Sequence, residues 1–216
     1  MNIGIYGGSF NPPHYGHHLL VQQVLRERLV DKVFYVPTWR NPLKPETHYA
    51  SGFHRIAMLA LMTQRTPEAI VSDYDLKNEI TESYQTVMWF FNTFPKDRLF
   101  FLMGSDAFEN IKLWTNWEWL VKKATPIVIA RPDENHHELK RKHYNHLMDI
   151  HPDVIRLISR HPKEFIKANT SSTEIRRKIA EGKRSWKYHC PKSIVNYIVK
   201  HNLYKGDMSQ ESFYTC

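Results

Sequence analysis

Two histidines stand three residues apart at the end of a glycine-rich segment near the start of the chain. His14 and His17 close the stretch GGSFNPPHYGH, which covers residues 7–17. Gly7 and Gly8 let backbone amides approach a phosphate closely, because a glycine has no side chain to keep a ligand away. Imidazoles at this spacing and at a helix start can face one bound group and donate hydrogen bonds to phosphate oxygens as charge shifts in a transition state. The segment therefore predicts a site for phosphate transfer.

The spacing separates this segment from the two commonest phosphate-binding loops. It matches neither G-x-x-x-x-G-K-[ST] nor G-x-G-x-x-G, which argues against a P-loop kinase and against a dehydrogenase. A histidine pair at a helix start can also be a surface pair or an incidental metal site. The glycines and prolines that precede this pair favour the phosphate site over both alternatives.

A second candidate anion site is the stretch TSSTEIR at residues 170–176. Ser171 and Glu174 have the spacing of a capping box, which predicts that a helix begins here. A helix N-terminus presents amides to an anion, and the planar guanidinium of Arg176 is suited to clamp a phosphate. Taken alone, this stretch is more typical of an ordinary capped helix with a solvated arginine.

The hydrophobic pattern predicts the scaffold that positions these segments. Apolar stretches of strand length alternate with stretches of helical period from residue 2 to residue 130, and this order predicts βαβ units with right-handed crossovers. We therefore expect an α/β fold: a Rossmann-like parallel sheet flanked by helices, with a C-terminal helical portion. Ligands bind beyond the carboxyl ends of the strands in such sheets, and the loop after the first strand lies there.

The predicted strands are Asn2–Tyr6, Lys32–Val36, Ala69–Ser72, Arg98–Met103, Pro126–Ala130 and Val154–Ile158, and the predicted helices are Tyr15–Leu29, Arg55–Thr63, Tyr84–Phe94, Trp114–Lys122 and a run from Thr170 onward. With 216 residues, 42% of them hydrophobic, the chain can bury one substantial core. We expect one domain over residues 1–204 and a flexible tail over 205–216. Residues 133–151 are dense in charge and histidine and predict a surface excursion.

Composition narrows the cellular setting and the partners. No apolar stretch approaches the ~20 residues that span a bilayer, and no secretory signal is visible at the start. Cys190 and Cys216 fit neither a disulfide framework nor a zinc site, so we expect a cytoplasmic protein without a membrane partner. The net charge of +8 favours anionic ligands and, with the aromatic content, would also suit a non-enzymatic RNA-binding protein. The basic residues form no continuous stripe, so we expect no nucleic-acid partner.

With both motifs in view, the chain resembles the bacterial-type nicotinate mononucleotide adenylyltransferases, a branch of the nucleotidyltransferase superfamily. Gly8–His17 matches the family loop G-x-F-x-P-x-H-x-G-H, and Ser171–Arg176 matches its S-S-T-x-I-R motif. The resemblance extends from Ile3 to Tyr204. Weaker matches follow in the family's order at Asn41–Lys44, Ser83–Tyr84, Gly104–Asp106, Trp114 with Trp117, and Ala130–Pro132.

The resemblance implies transfer of AMP from ATP to nicotinate mononucleotide, giving nicotinate adenine dinucleotide and pyrophosphate. It implies catalytic roles for His14, His17, Lys44 and Arg176, ATP contacts by Gly8, Ser9, Phe10, Gly16, Gly104, Asp106, Ser171 and Ser172, and acceptor contacts by Tyr84, Gln85 and Trp114. The partners expected are ATP and a pyridine mononucleotide. Magnesium is expected on the ATP phosphates and their waters, so no residue is nominated as a metal ligand.

The chain departs from the family pattern at three positions. Asn11 stands where many relatives carry Asp, and Leu43 replaces a His that is common in the family. Gln85 replaces a Thr near the pyridine substituent, which leaves the choice between nicotinate and nicotinamide mononucleotide open. Tyr84 and Trp114 would, without the resemblance, be as well explained by core packing. Phosphopantetheine and glycerol-phosphate transferases share the first motif, and the sequence leaves a homo-oligomer open.

Overall fold

The computed structural model describes residues 1–40, 50–130, 155–158 and 170–205, with the side chains of Asp106, Ala130 and residues 156–158 left out. Its strands are β1 (Asn2–Gly8), β2 (Lys32–Pro37), β3 (Ala69–Val71), β4 (Arg98–Gly104), β5 (Ala124–Ala130) and β6 (Ile155–Ile158). Its α-helices are α1 (Tyr15–Arg26), α2 (Gly52–Thr63), α3 (Tyr74–Lys77), α4 (Ser83–Thr93), α5 (Ser105–Glu109), α6 (Trp117–Lys123), α7 (Ser172–Ala180) and α8 (Lys192–Lys200), with 3₁₀ turns at Ile111–Leu113 and Arg184–His189.

The described strands form one parallel sheet in the order β3-β2-β1-β4-β5-β6. The chain moves outward from β1 through β2 to β3, and then returns to place β4 on the other side of β1. This reversal makes the gap between β1 and β4 the switch point, where doubly wound sheets bind their ligands. The α/β Rossmann-like fold predicted from the sequence is confirmed.

The two central strands separate at their carboxyl ends. The ladder between β1 and β4 ends at Ile5 and Phe101. Each strand stays paired to its other neighbour farther along, β1 as far as Gly8 and β4 as far as Gly104. The ring of Phe101 lies beside Gly7, where a β-carbon would come within 3.5 Å of it. The separation of β1 and β4 at the switch point is called here the cleft, and the last residues of both strands border it.

Two hydrophobic clusters cover the two faces of this sheet, and the side chains of the central strands alternate between them. Ile5 and Phe101 pack into the cluster that holds α4 and α6, whereas Tyr6 and Leu102 pack into the cluster that holds α1, α2, α7 and α8. Burial of both faces explains why these strands are almost continuously apolar.

The boundaries differ most from the prediction around Trp114. The helix predicted from Trp114 to Lys122 begins at Trp117, because Asn116 takes a left-handed conformation with φ 53° and interrupts the helical path. The short helices α3 and α5 were not predicted, since four or five residues carry too little periodicity to be recognised. The excursion expected at residues 133–151 and residues 206–216 of the expected tail lie outside the described residues.

Within the part of the chain that the structure describes, no helix is both long enough and apolar enough to cross a membrane.

Candidate active site

The loop between β1 and α1, residues 9–14, lies at the mouth of the cleft and is called here the histidine loop. It follows Gly8, on which the ring of Phe10 packs so closely that a β-carbon would come within 3.1 Å of it. Phe10 is fully buried and takes φ 45°, an unusual conformation for a residue with a side chain. Its ring also meets Tyr6 and Tyr35 edge-on, at centroid distances of 5.2 and 5.4 Å. The start of the loop is therefore anchored in the core.

His14 and His17 lock into each other at the start of α1. His14 is the N-cap, and its Nδ1 accepts a hydrogen bond from the amide of Gly16 at 3.1 Å. Nδ1 of His17 accepts in turn from the amide of His14 at 3.2 Å, which completes a capping box made of two imidazoles. The ring centroids lie 3.8 Å apart. Since both Nδ1 atoms are acceptors, each neutral ring carries its proton on Nε2, which is a hydrogen-bond donor.

The same helix start is supported from below. The ring of His17 meets the ring of Phe10 edge-on at 5.0 Å, and the hydroxyl of Tyr35 donates to the carbonyl of His17 at 3.2 Å. Burial, followed by the nearby Tyr6, raises the pKa of Tyr35, so this hydroxyl stays a donor. Burial also lowers the pKa of the neighbouring His18, which favours its neutral form.

The histidine loop is tied to residues 170–205, called here the C-terminal segment. Arg176 donates from Nη1 to the carbonyl of Asn11 at 2.7 Å, across 165 positions of the chain. The hydroxyl of Ser172 donates to the carbonyl of Pro12 at 2.9 Å. Two residues predicted for the triphosphate are thus brought against the loop that carries the histidines.

Two further contacts of the C-terminal segment reach this loop. The thiol of Cys190, whose pKa burial raises to about 12, donates to the carbonyl of Pro13 at 3.7 Å. The hydroxyl of Tyr204 donates to Oδ1 of Asn11 at 2.8 Å, and the amide of Ala50 donates to the same oxygen at 3.0 Å. The C-terminal segment therefore meets three consecutive residues of the loop.

Arg55 joins the histidine loop to the end of β2. It lies on α2, is only 3% exposed, and donates from Nη1 to the carbonyls of Ser9 at 3.0 Å and Thr38 at 2.8 Å. The amide of Thr38 also donates to the carbonyl of Gly8 at 3.0 Å. This buried guanidinium brings positive charge to the start of the histidine loop, in surroundings that screen it weakly.

The predicted cap of α7 is present, although its glutamate has another partner. Ser171 accepts at Oγ from the amide of Glu174 at 3.1 Å. The carboxylate of Glu174 pairs with Arg177 at 2.7 Å, and the hydrogen bonds from Arg177 lower the pKa of Glu174 to about 2. Ser172 and Arg176 bond carbonyls of the histidine loop, so the N-terminal half of α7 lies at the same edge of the sheet as the histidines.

The residues predicted for the acceptor lie on the other side of the switch point. Tyr84 and Gln85 are half-buried in the first turn of α4, which begins at the carboxyl edge of the sheet. Trp114 is also half-buried, and its ring meets Phe101 edge-on at a centroid distance of 6.2 Å. Tyr84 and Trp114 pack against the same hydrophobic cluster. Both side chains therefore pack against the core and keep part of their surface exposed.

A buried carboxylate on α3 holds α4, the helix that carries Tyr84 and Gln85. Asp75 on α3 is 2% exposed, and the hydroxyl of Thr86 on α4 contacts both carboxylate oxygens, at 3.0 and 2.9 Å. Burial raises the pKa of Asp75 to about 7, although the hydrogen bond from Thr86 acts in the opposite direction. The rings of Tyr74 and Trp89 stack at 4.3 Å between the same two helices. The pair therefore holds α3 against α4.

Most of the predicted site residues lie along this edge of the sheet. Gly8 is the last residue of β1, Gly16 lies in the first turn of α1, and Gly104 is the last residue of β4 and precedes α5. Lys44 lies outside the described residues, and the side chain of Asp106 is not described. Sequence analysis missed Arg55, whose signal would have been an arginine on the apolar face of a helix.

Comparison with known proteins identifies the family of the chain. The family model described as "Cytidylyltransferase-like" matches residues 5–178. A probable nicotinate-nucleotide adenylyltransferase of Neisseria meningitidis is 32% identical over 94% of this chain and 98% of its own length. One from Thermus thermophilus is 32% identical over 95% of this chain and 100% of its own.

A solved structure carries the same fold. The Plasmodium falciparum nicotinic acid mononucleotide adenylyltransferase complexed with NaAD superposes with a TM-score of 0.77, covering 94% of this chain and 97% of that one at 22% identity. The long matches at about a third identity, the family model and the shared architecture lead to one conclusion. The chain belongs to the cytidylyltransferase-like nucleotidyltransferases, in the family of nicotinate-nucleotide adenylyltransferases.

Proposed function

We propose that this protein transfers AMP from ATP to nicotinate mononucleotide, with nicotinate adenine dinucleotide and pyrophosphate as products. One observation carries the proposal: the interlocked pair His14 and His17 stands at the switch-point cleft, against the C-terminal segment that supplies Arg176. The relatives that match over nearly the whole chain bear the name of this activity, and a structural neighbour holds the dinucleotide product.

On the phosphate side, the protein acts by placing donors where charge develops. The capping box fixes Nδ1 of both histidines as acceptors, so the Nε2–H groups of His14 and His17 donate to phosphate oxygens. The start of α1 adds its amides and its positive dipole end. Arg176, held by the carbonyl of Asn11, completes the donors expected to bind the triphosphate. Ser172 is also expected there, and its hydroxyl hydrogen, which the carbonyl of Pro12 accepts in this structure, would have to turn from that carbonyl to donate to a phosphate.

The reaction itself asks little covalent chemistry of the protein. An oxygen of the acceptor's 5′-phosphate attacks the α-phosphorus of ATP, the bond to the bridging oxygen breaks, and pyrophosphate leaves with that oxygen and its electron pair. The nucleophile is already an anion at neutral pH, so no general base is needed and catalysis rests on position and charge.

In this scheme magnesium would enter the site bound to the phosphates of ATP. The donors at the described site are imidazole, guanidinium and hydroxyl groups, which suit phosphate oxygens better than they suit a magnesium ion. Among the described residues, no group of three or more His, Cys, Asp or Glu is placed to hold a metal. Magnesium would be carried by phosphate oxygens and water and would offset charge on the triphosphate. Lys44, predicted near the phosphates, remains part of this proposal.

On the acceptor side, the aromatic groups would receive the pyridine ring. Trp114 offers a flat, half-buried face, and Tyr84 with Gln85 would border the ring substituent. Gln85 carries both a donor and an acceptor, so it can pair with a carboxylate or with an amide. Nicotinamide mononucleotide is therefore the second candidate acceptor.

The proposal is tested by measuring pyrophosphate release from magnesium-ATP with nicotinate mononucleotide, nicotinamide mononucleotide and phosphopantetheine offered in parallel. Strong release with the first and little with the others is the expected result. Preference for the amide would keep the chemistry and revise the roles of Tyr84 and Gln85. Folded protein that releases pyrophosphate with none of them would contradict the proposal.

Two expectations about the setting stay predictions. A cytoplasmic location is tested by fractionating cells, and a homo-oligomer by light scattering of the purified protein. Binding to RNA, the alternative from a different functional class, is tested by measuring affinity against salt. A steep loss of affinity with salt would indicate many phosphate contacts and would favour that alternative.

A further inference from the structure

At two of its positions the histidine loop has no backbone amide that could donate a hydrogen bond. Pro12 and Pro13 have no amide hydrogen and therefore offer only carbonyl acceptors. The donors to these carbonyls and to that of Asn11 are side chains of the C-terminal segment. The shape of the loop just before His14 is therefore determined by residues that lie more than 150 positions later in the chain.

The side chain of Asn11 is the point where this support converges. It is fully buried, and its Oδ1 accepts from the amide of Ala50 and from the hydroxyl of Tyr204. An amide oxygen has two lone pairs, so both are used. Its backbone carbonyl takes the hydrogen bond from Arg176. A shift of Asn11 would move a predicted phosphate ligand and the N-cap His14 together.

Tyr204 is suited to hold Asn11 in one place. It is 4% exposed, and burial raises its pKa although Arg176 and Arg55 act in the opposite direction. The phenol therefore stays protonated around neutral pH and donates to an oxygen that can only accept. Its backbone takes φ 64°, a left-handed conformation that residues with side chains rarely adopt. Tyr204 therefore donates to Asn11 from a strained backbone conformation.

We propose that Tyr204 is a positioning residue for AMP transfer, acting through Asn11 to hold the histidine loop so that His14 and His17 meet the phosphates in register. The inference rests on the proposed function. It adds a residue that lies outside the two family motifs and reaches the first of them through Asn11.

The first test is Tyr204→Phe, which removes one hydroxyl and keeps the ring. We expect kcat to fall about 10-fold, because small misplacement of oriented groups raises the barrier steeply. KM for ATP and for the acceptor should stay within about 2-fold, since the groups that bind them remain. A raised KM with unchanged kcat would contradict the inference.

Tyr197→Phe is the matched control. The hydroxyl of Tyr197, on α8 of the same segment, bonds Nδ1 of His54 at 2.9 Å, and His54 is not part of the histidine loop. Each variant loses one hydroxyl hydrogen bond, so similar shifts in Tm are expected for both. Tyr197→Phe should keep kcat within about 2-fold. An equal loss of kcat in both variants would mean a general structural role and would overturn the inference.

A double-mutant cycle tests the route through Asn11. If Tyr204 acts by holding Asn11, Tyr204→Phe should change kcat little in an Asn11→Ala background. Additive losses would contradict that route.

A readout without turnover separates this inference from the proposed function. In NMR spectra of the histidine rings, Tyr204→Phe should shift or broaden the signals of His14 and His17, whereas Tyr197→Phe should not. Unchanged signals in Tyr204→Phe would overturn the inference even if the proposed reaction were wrong.

Discussion

On the phosphate side of the cleft, hydrogen bonds join residues 160 or more positions apart, whereas the acceptor side rests on aromatic rings packed against one hydrophobic cluster. Hydrogen bonds are directional, so the first arrangement allows little freedom in where the histidines and Arg176 stand. Aromatic packing tolerates small changes of ring size and position. Under the proposed function, the chemistry would be fixed on one side of the cleft and the choice of acceptor would be adjusted on the other.

The largest effect is expected on the phosphate side, as a loss of kcat when His17 is replaced. His17→Ala removes one Nε2 donor and the acceptor that caps the amide of His14, so kcat should fall about 100- to 1,000-fold. The control is His18→Ala, which removes the adjacent imidazole, one outside the capping box. Stopped-assay kinetics and thermal unfolding of both variants check the prediction. A His17→Ala enzyme with ordinary kcat would remove the histidine loop from the mechanism.

The second largest effect is expected at Arg176. Arg176→Ala should lower kcat/KM for ATP about 50-fold, because it removes a charged donor to phosphate and the hydrogen bond to Asn11. Arg177→Ala changes the same charge one position along α7. Arg177 is exposed and pairs with Glu174 and Glu181, so Arg177→Ala should change kcat/KM for ATP by no more than about 2-fold. Equal losses would point to a diffuse effect of charge instead of a clamp.

On the acceptor side the expected effects are smaller and concern substrate choice. Trp114→Ala should raise KM for the pyridine nucleotide about 10-fold and leave KM for ATP nearly unchanged, since it removes a stacking face. Trp114→Phe keeps a ring against Phe101 and should recover most of the loss. Steady-state kinetics with each substrate varied in turn provide the measurement. A rise in KM for ATP in Trp114→Ala would erase the proposed division.

The smallest effect is a pH dependence of stability behind the acceptor side. Because burial raises the pKa of Asp75 to about 7, the folded protein keeps a proton that the unfolded chain releases between about pH 4 and pH 7. The free energy of unfolding should therefore fall as pH rises through that window. Asp75→Asn should remove a loss of about 2 kcal/mol between pH 5 and pH 7.5.

Urea unfolding at several pH values, compared between the wild-type protein and Asp75→Asn, measures this slope. The variant should keep kcat within about 2-fold, since Asp75 supports α4 without reaching a substrate. Parallel slopes in the two proteins would show that Asp75 titrates as an ordinary exposed carboxylate.

The sequence predicted the scaffold well because its signals are local. Periodicity located every strand of the sheet, and the glycine-rich segment with its two histidines located the cleft. The cap at Ser171 was also predicted, although the carboxylate of Glu174 turned to Arg177, a choice between two near partners that spacing does not decide.

The supports of the site could not be predicted because they depend on tertiary contact. Nothing near Asn11 in the sequence indicates that its side chain meets Tyr204, 193 positions away. The place of Arg55 on the apolar face of α2 indicates burial, but not that its partners are the carbonyls of Ser9 and Thr38. Such residues become visible only when distant parts of the chain are brought together.

The contacts between the C-terminal segment and the histidine loop also order events during synthesis. Chains fold largely from the N-terminus as they leave the ribosome, so β1 and its loop emerge first. The loop can complete its contacts only after Ser172, Arg176 and finally Tyr204 have been synthesised. A nascent chain can therefore build much of its sheet before the residues that hold the proposed catalytic loop have been synthesised.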